Sequence, residues 1–224
     1  MVDKEELKKK RQLESSDGGA NVSIKMTNKK IHIRVEIKIE TLLIDYLMRL
    51  ILRLRIPLEL FAGRGIAKEM SEAAAGIYYA RKFEYQGKIR CYVIGEGNTP
   101  RISYILAHAR PDWNIISVDP ELKSSYSYLT VPSNLKLLGI YDTELDLSDQ
   151  NDYDSVVIVG IHSHNNMLHF WNRIVRPKLL VALPCCVKIQ LSDPYLKVGH
   201  PGVLSAKNTL YVWKTDFKEN DHPY

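Results

Sequence analysis

Apolar and polar positions change their period twice along this chain. Val22, Ile24 and Met26 alternate with polar residues, TNKK (27–30) can turn, and Ile31, Ile33, Val35, Ile37 and Ile39 alternate with His32, Arg34, Glu36, Lys38 and Glu40. A period of two with one apolar face predicts a β-hairpin. From Leu42 the run LLIDYLMRLILRLRI (42–56) is apolar on most sides, with Arg49 and Arg53 four apart, and predicts a largely buried helix stopped by Pro57. A second helix is expected over 66–82, through EAAAGIYYARK. An isolated hairpin cannot bury its apolar face. Residues 21–88 therefore read as an N-terminal extension, a hairpin plus two helices, packed on the main domain. Residues 1–20, polar and charged with Ser-Ser-Asp-Gly-Gly near their end, read as a disordered lead-in.

After Gln86-Gly87 the pattern changes again. Apolar runs at 90–95, 114–118, 135–139, 155–160, 178–183 and 209–214 read as strands, and 100–110 and 165–175 fit helices. The connection 120–134, rich in Ser, Tyr and Pro, has room for a short helix only. Continuous apolar strands separated by helical segments imply a parallel sheet covered on both faces. With right-handed crossovers this is an α/β, doubly wound, mostly parallel sheet spanning residues 89–224.

Composition narrows the setting. Of 224 residues, 45% are apolar and 25% charged, ordinary for a globular chain. The net charge of +5 is unevenly placed: residues 22–90 hold 14 basic and 7 acidic residues, a local +7. Such a segment can attract an anionic partner such as nucleic acid or a membrane surface, or can be a set of solvated faces. Cys91, Cys185 and Cys186 make a poor disulfide framework, so a reducing, cytoplasmic setting is expected. No apolar secretory core follows Met1, and the stretch 42–56 is too short and too charged to span a bilayer.

The chemistry concentrates after the first strand of the 89–224 region. CYVIGEGNTPR (91–101) ends an apolar strand in Gly95-Glu96-Gly97, then enters a helix. Glycines let backbone amides approach a ligand, Thr99 suits an N-cap and Pro100 the first helical position. The helix N-terminus there favours a negative group. Pro100 stands where a dinucleotide loop would carry its third glycine, so the loop also reads as a tight structural turn. Asp119 ends the next strand, where an acid can accept hydrogen bonds from both ribose hydroxyls of a nucleoside cofactor, or cap an Asp-Pro turn. Asp142, past the third strand, can meet an adenine or be a surface acid.

Gly95-x-Gly97, the Asp119 strand end and the order of strands resemble the class I S-adenosylmethionine-dependent methyltransferase superfamily. GIHSHNNMLHFWNRIVRPKLLVALPCC (160–186) is similar to a subgroup with a His-containing loop after the fourth strand and Pro-Cys-Cys after the fifth. SAKNTLYVWKTD (205–216) looks like the closing antiparallel strand of that superfamily. The resemblance implies a cofactor site of Gly95, Glu96, Gly97, Thr99, Asp119 and Asp142 holding S-adenosylmethionine, and methyl transfer to an acceptor, anionic if the basic segment recruits it. His162 and His164 are the candidate bases, or hydrogen-bonded loop histidines. Cys185 and Cys186 read as inert strand-end thiols, a nucleophile or half of a metal site, and no metal is assigned. Tyr126, Tyr128, Trp171 and Trp213 can stack a base or fill the core. The HSHNN loop departs from the Asp/Asn-Pro-Pro-aromatic motif of amino-directed relatives. Two alternatives therefore stand beside the transferase: a catalytically inactive binding or structural protein of the same fold, and an NAD-dependent oxidoreductase.

Overall fold

Period two in the sequence becomes strand pairing. β1 (Ala20–Thr27) and β2 (Lys30–Ile37) run antiparallel, with Ala20 opposite Ile37 and Thr27 opposite Lys30. The computed structural model describes residues 20–27, 30–37, 42–61, 66–122, 130–164, 167–184 and 190–215. The lead-in up to residue 19 lies outside these, as do Tyr126, Tyr128, Asn165, Asn166, Cys185 and Cys186. The hairpin belongs to one compact unit, and the chain from Leu42 onward forms another.

α1 (Leu42–Leu54) buries Leu43, Tyr46, Leu47, Leu50 and Ile51, the i, i+3, i+4, i+7, i+8 set of one face. Asp45 and Arg49 pair at 2.8 Å on the exposed side, and Leu52 faces solvent. The helix is amphipathic, not the largely buried one expected from its composition. It also ends two residues short of the expected 56. Arg55 takes φ 53° and Ile56 N–H closes onto the Ile51 carbonyl at 3.0 Å, because the residue before Pro57 is disfavoured in helix.

α2 (Ile66–Arg81) is buried through the whole run Ser71–Ile77. Its small residues explain the close packing: a Cβ on Gly76 would lie 2.6 Å from Ile161 Cγ1 and 3.3 Å from Val159 Cγ1. Helix and strand therefore approach within a distance that only glycine permits at this position.

The main sheet contains β3 (Ile89–Ile94), β4 (Trp113–Val118), β5 (Leu135–Leu138), β6 (Ser155–Ile161), β7 (Lys178–Leu183), β8 (Leu196–Gly199) and β9 (Thr209–Lys214). Its order is β5-β4-β3-β6-β7-β9-β8. β3 to β7 are parallel, β9 runs antiparallel to β7, and β8 pairs antiparallel with β9. The doubly wound, mostly parallel sheet and its closing antiparallel strand are thus as expected. β8 was not legible: four residues, alternately half-buried and exposed, between Pro194 and Pro201, carry little apolar signal.

Successive side chains of each central strand feed opposite cores. Cys91, Val93, Ile115, Val157, Val159, Leu179 and Val181 pack with α1, α2 and α3 (Arg101–Ala109). Tyr92, Ile94, Ile116, Val118, Val156, Ile158 and Leu180 pack with α4 (Met167–Arg173) and with Leu145 and Leu147. Each fully buried Val, Leu or Ile stabilises by about 1.5–3 kcal/mol. The chain leaves β3 toward β4 and β5, then returns to place β6 on β3's other side. That reversal opens a crevice at the carboxyl ends of the strands, the usual ligand position in such sheets.

Candidate functional site

A cavity of about 630 Å³ occupies that crevice. Gly95, Glu96, Gly97 and Thr99 reach it from the end of β3, Asp119 from the end of β4 and Asp142 from a 3₁₀ turn after β5. His162 and His164 reach it from the end of β6. All eight sequence-predicted site residues, from four strand ends, therefore line one space.

The glycine loop is built by its dihedrals. Gly95 and Gly97 have φ of 79° and 67°, values that L side chains adopt at a cost. A Cβ on Gly95 would sit 2.8 Å from Ser163 Oγ and 3.0 Å from Ser163 Cα, so the loop packs against the backbone after β6. A Cβ on Gly97 would meet nothing within 4 Å. Its missing side chain faces open space.

Asp119 ties the loop to the second strand. Its Oδ2 accepts the Gly97 N–H at 2.8 Å and its Oδ1 accepts the Glu121 N–H at 2.8 Å. The residue is buried, yet a carboxylate has about four acceptor positions, so each oxygen keeps one for a ligand hydroxyl. Asp142 lines the far side beside Tyr141, whose ring is exposed.

Glu96 corrects two expectations at once. Its Oε1 accepts the N–H groups of Ile102 at 2.6 Å and Ser103 at 3.1 Å, and its Oε2 accepts the Ser117 hydroxyl at 2.7 Å. Those amides are the ones an N-cap side chain serves. Thr99 does not cap: Pro100 holds the cap position without a side-chain hydrogen bond, and the Thr99 hydroxyl donates to Asn98 Oδ1 at 3.0 Å. The negative group expected at the helix N-terminus is thus the protein's own carboxylate.

Burial pushes the Glu96 carboxyl above the ordinary carboxylate range, opposed by hydrogen bonds from Ser103, Ser117 and Ile102. The folded chain therefore holds this proton more tightly than the unfolded chain. Stability from the group is complete below the ordinary range, about pH 4, and is lost as pH rises through the folded value. Glu96→Gln keeps an acceptor for the two amides. It is expected to gain stability relative to the parent as pH rises across that window, measured by urea denaturation in a pH series. A difference independent of pH would contradict this.

α2 supplies residues that the sequence pattern did not reveal. Lys68, Glu69, Glu72 and Ala73 line the cavity. Glu69 pairs with Arg101 at 2.8 Å, and Arg101 Nε donates to the Leu60 carbonyl at 2.6 Å, fastening the start of α3 to α2 and the preceding turn. Glu72 is buried, with Oε1 3.4 Å from His162 Nδ1 and 3.6 Å from Lys68 Nζ. A signal for it exists: Glu72, Gly76 and Ala80 stand four apart, putting a carboxylate on the small, buried face of the helix. His162 adopts φ 59° at the strand end, a conformation that costs on the order of 1–3 kcal/mol outside glycine and collects at functional sites. The His162 and His164 rings lie 6.2 Å apart, and His164 is exposed.

The cavity wall is acidic. Glu69, Glu72, Glu96, Asp119, Glu121 and Asp142 face Lys68 and Arg101, six acidic side chains against two basic ones. Among the described residues no group of three His, Cys, Asp or Glu is placed to hold a metal ion, and no helix is long and apolar enough to cross a membrane.

No family model matches the sequence, and no curated protein matches it. Solved structures similar to this chain include the plantazolicin methyltransferase BpumL in complex with SAH (12% identity, TM-score 0.36, covering 63% of this chain and 62% of that one). Coclaurine N-methyltransferase bound to N-methylheliamine and SAH is 13% identical with a TM-score of 0.37, covering 62% of this chain and 49% of that one. The Burkholderia thailandensis 1,6-didemethyltoxoflavin-N1-methyltransferase, with 1,6-didemethyltoxoflavin and S-adenosylhomocysteine (SAH) bound, is 12% identical with a TM-score of 0.34, covering 89% and 80%. This chain spans about 62% and 49% of the first two proteins' lengths. Likeness at this level assigns neither ligand nor reaction to this chain.

Proposed function

We propose that this chain binds S-adenosylmethionine in the crevice over β3 and β4 and transfers its methyl group to an acceptor lying over the end of β6. The observation that carries the reading is the convergence of Gly95, Gly97, Asp119 and Asp142 on one acidic cavity at the sheet's reversal point. Asp119 would take the ribose hydroxyls on its remaining acceptor positions, Gly97 would admit the cofactor close to the backbone, and Tyr141 and Asp142 would meet the adenine. When bound, the cofactor supplies a methyl group on a positively charged sulfur. The excess of acidic over basic side chains around the cavity favours that charge.

The same chemistry separates the rivals. A dinucleotide places its pyrophosphate on the N-terminal amides of the first helix, and here those of Ile102 and Ser103 are taken by the Glu96 carboxylate. Anionic acceptors face the same acidic wall, so a neutral or cationic acceptor fits the cavity better than a nucleic acid drawn in by the basic segment. SAH at 1,000 times its Kd is expected to stabilise the fold by about 4 kcal/mol, and NADH at millimolar concentration to give no stabilisation and no competition. Stabilisation by NADH, displaced by SAH, would return the oxidoreductase reading. SAH binding without transfer to protein, RNA or small-molecule pools would favour a non-catalytic module.

A further inference from the structure

The contact between Glu72 and His162 brings together two buried polar atoms that share no hydrogen bond. Glu72 Oε1 and His162 Nδ1 are each shielded from water and lack a hydrogen-bond partner among the described residues, and they stand 3.4 Å apart. A buried donor or acceptor left without a partner is costly, and at 3.4 Å each of these two atoms is the other's nearest recorded polar neighbour of complementary kind. Although Nδ1 is shielded, the His162 side chain as a whole is 42% exposed and lines the cavity. We propose that Glu72 is a positioning residue that holds His162 in its Nδ1–H tautomer and leaves Nε2 as an unprotonated acceptor in the cavity.

The packing explains why the carboxylate can do this. Gly76, one turn after Glu72, lets α2 approach β6 closely, and the left-handed backbone at His162 turns the chain at the strand end. The charged or titratable groups facing the pair are Lys68, whose Nζ lies 3.6 Å from Glu72 Oε1, and His164, whose ring lies 6.2 Å from that of His162. Glu69 is held by Arg101. A hydrogen bond at one ring nitrogen decides which nitrogen carries the proton, and a carboxylate acceptor at Nδ1 leaves Nε2 with its lone pair. The catalytic consequence rests on the transferase reading: with a bound cofactor supplying the methyl group, Nε2 of His162 would accept the proton that an acceptor O–H or N–H gives up.

The tautomer can be read without any acceptor or cofactor. Long-range ¹H–¹⁵N spectra of the full-length protein at about pH 8.5, above the ordinary histidine value of about 6.5, separate protonated from unprotonated ring nitrogens. His162→Gln assigns the signal. The wild-type chain is expected to show His162 protonated at Nδ1, Glu72→Leu to revert to the Nε2–H form common in free histidine, and Glu72→Gln to retain Nδ1–H through its carbonyl oxygen. A wild-type His162 protonated at Nε2 would overturn the proposal, as would a folded Glu72→Leu chain that keeps Nδ1–H. Should Glu72→Leu fail to fold, the wild-type and Glu72→Gln spectra decide it. SAH binding is measured on the same samples. An Nδ1–H tautomer in a wild-type chain that ignores SAH would uphold the positioning role and remove the transferase reading.

Discussion

Gly95→Val is expected to destabilise the fold by about 2–5 kcal/mol, combining the left-handed backbone penalty of about 1–2 with overpacking of about 1–3. For a chain of this size that lowers Tm by roughly 4–20 °C. The cause is local: φ at Gly95 is 79°, and a Cβ there would press on Ser163, including its Cα at 3.0 Å. Ser163 cannot retreat cheaply, because it is buried directly after His162 at the end of β6. Gly97→Ala is the control. It shares the positive φ but meets no atom within 4 Å, so its cost should be near 1 kcal/mol while its methyl group intrudes on the cavity. Thermal and urea denaturation of the two variants should therefore rank Gly95→Val far below Gly97→Ala. SAH affinity should fall in Gly97→Ala despite its near-normal stability. Equal stability losses would contradict the packing described for the loop.

The second large effect is on binding. Asp119→Ala should weaken SAH by at least about 100-fold, since each hydrogen bond to a charged group contributes about 1.5–3 kcal/mol and two ribose hydroxyls are involved. It also leaves the Gly97 and Glu121 amides without their acceptor, at a stability cost of about 1–3 kcal/mol. Asp119→Asn is no rescue: its amide nitrogen would face one of the two N–H groups, donor against donor. Isothermal titration with SAH, at a temperature where both variants are folded, checks both expectations. Undiminished affinity in Asp119→Ala would show that the ribose is held elsewhere.

Elements with long, uniform patterns were legible in the sequence. The five parallel strands and β9 announce themselves as apolar runs, and the residues at their carboxyl ends fall into one cavity because a doubly wound sheet brings those ends together. β8 escaped because an edge strand of four residues needs only one partner and little burial. α1 misled through composition: Leu52 adds to the apolar count yet faces solvent. At the site, sequence spacing located Glu96 but not its task, since capping α3 from six residues upstream depends on a loop conformation no periodicity encodes. Glu72 lay far from the glycine loop in the chain. Only the close approach of α2 to β6 at Gly76 brings it to His162.

The glycine loop, Asp119 and the acidic wall matter together only if the cavity takes the sulfonium cofactor. Equilibrium dialysis of the full chain against radiolabelled S-adenosylmethionine tests this most directly. One molecule bound per chain, displaced by SAH, not by NADH, and lost in Asp119→Ala, is the predicted result; no binding to the wild-type chain at millimolar cofactor would contradict the account.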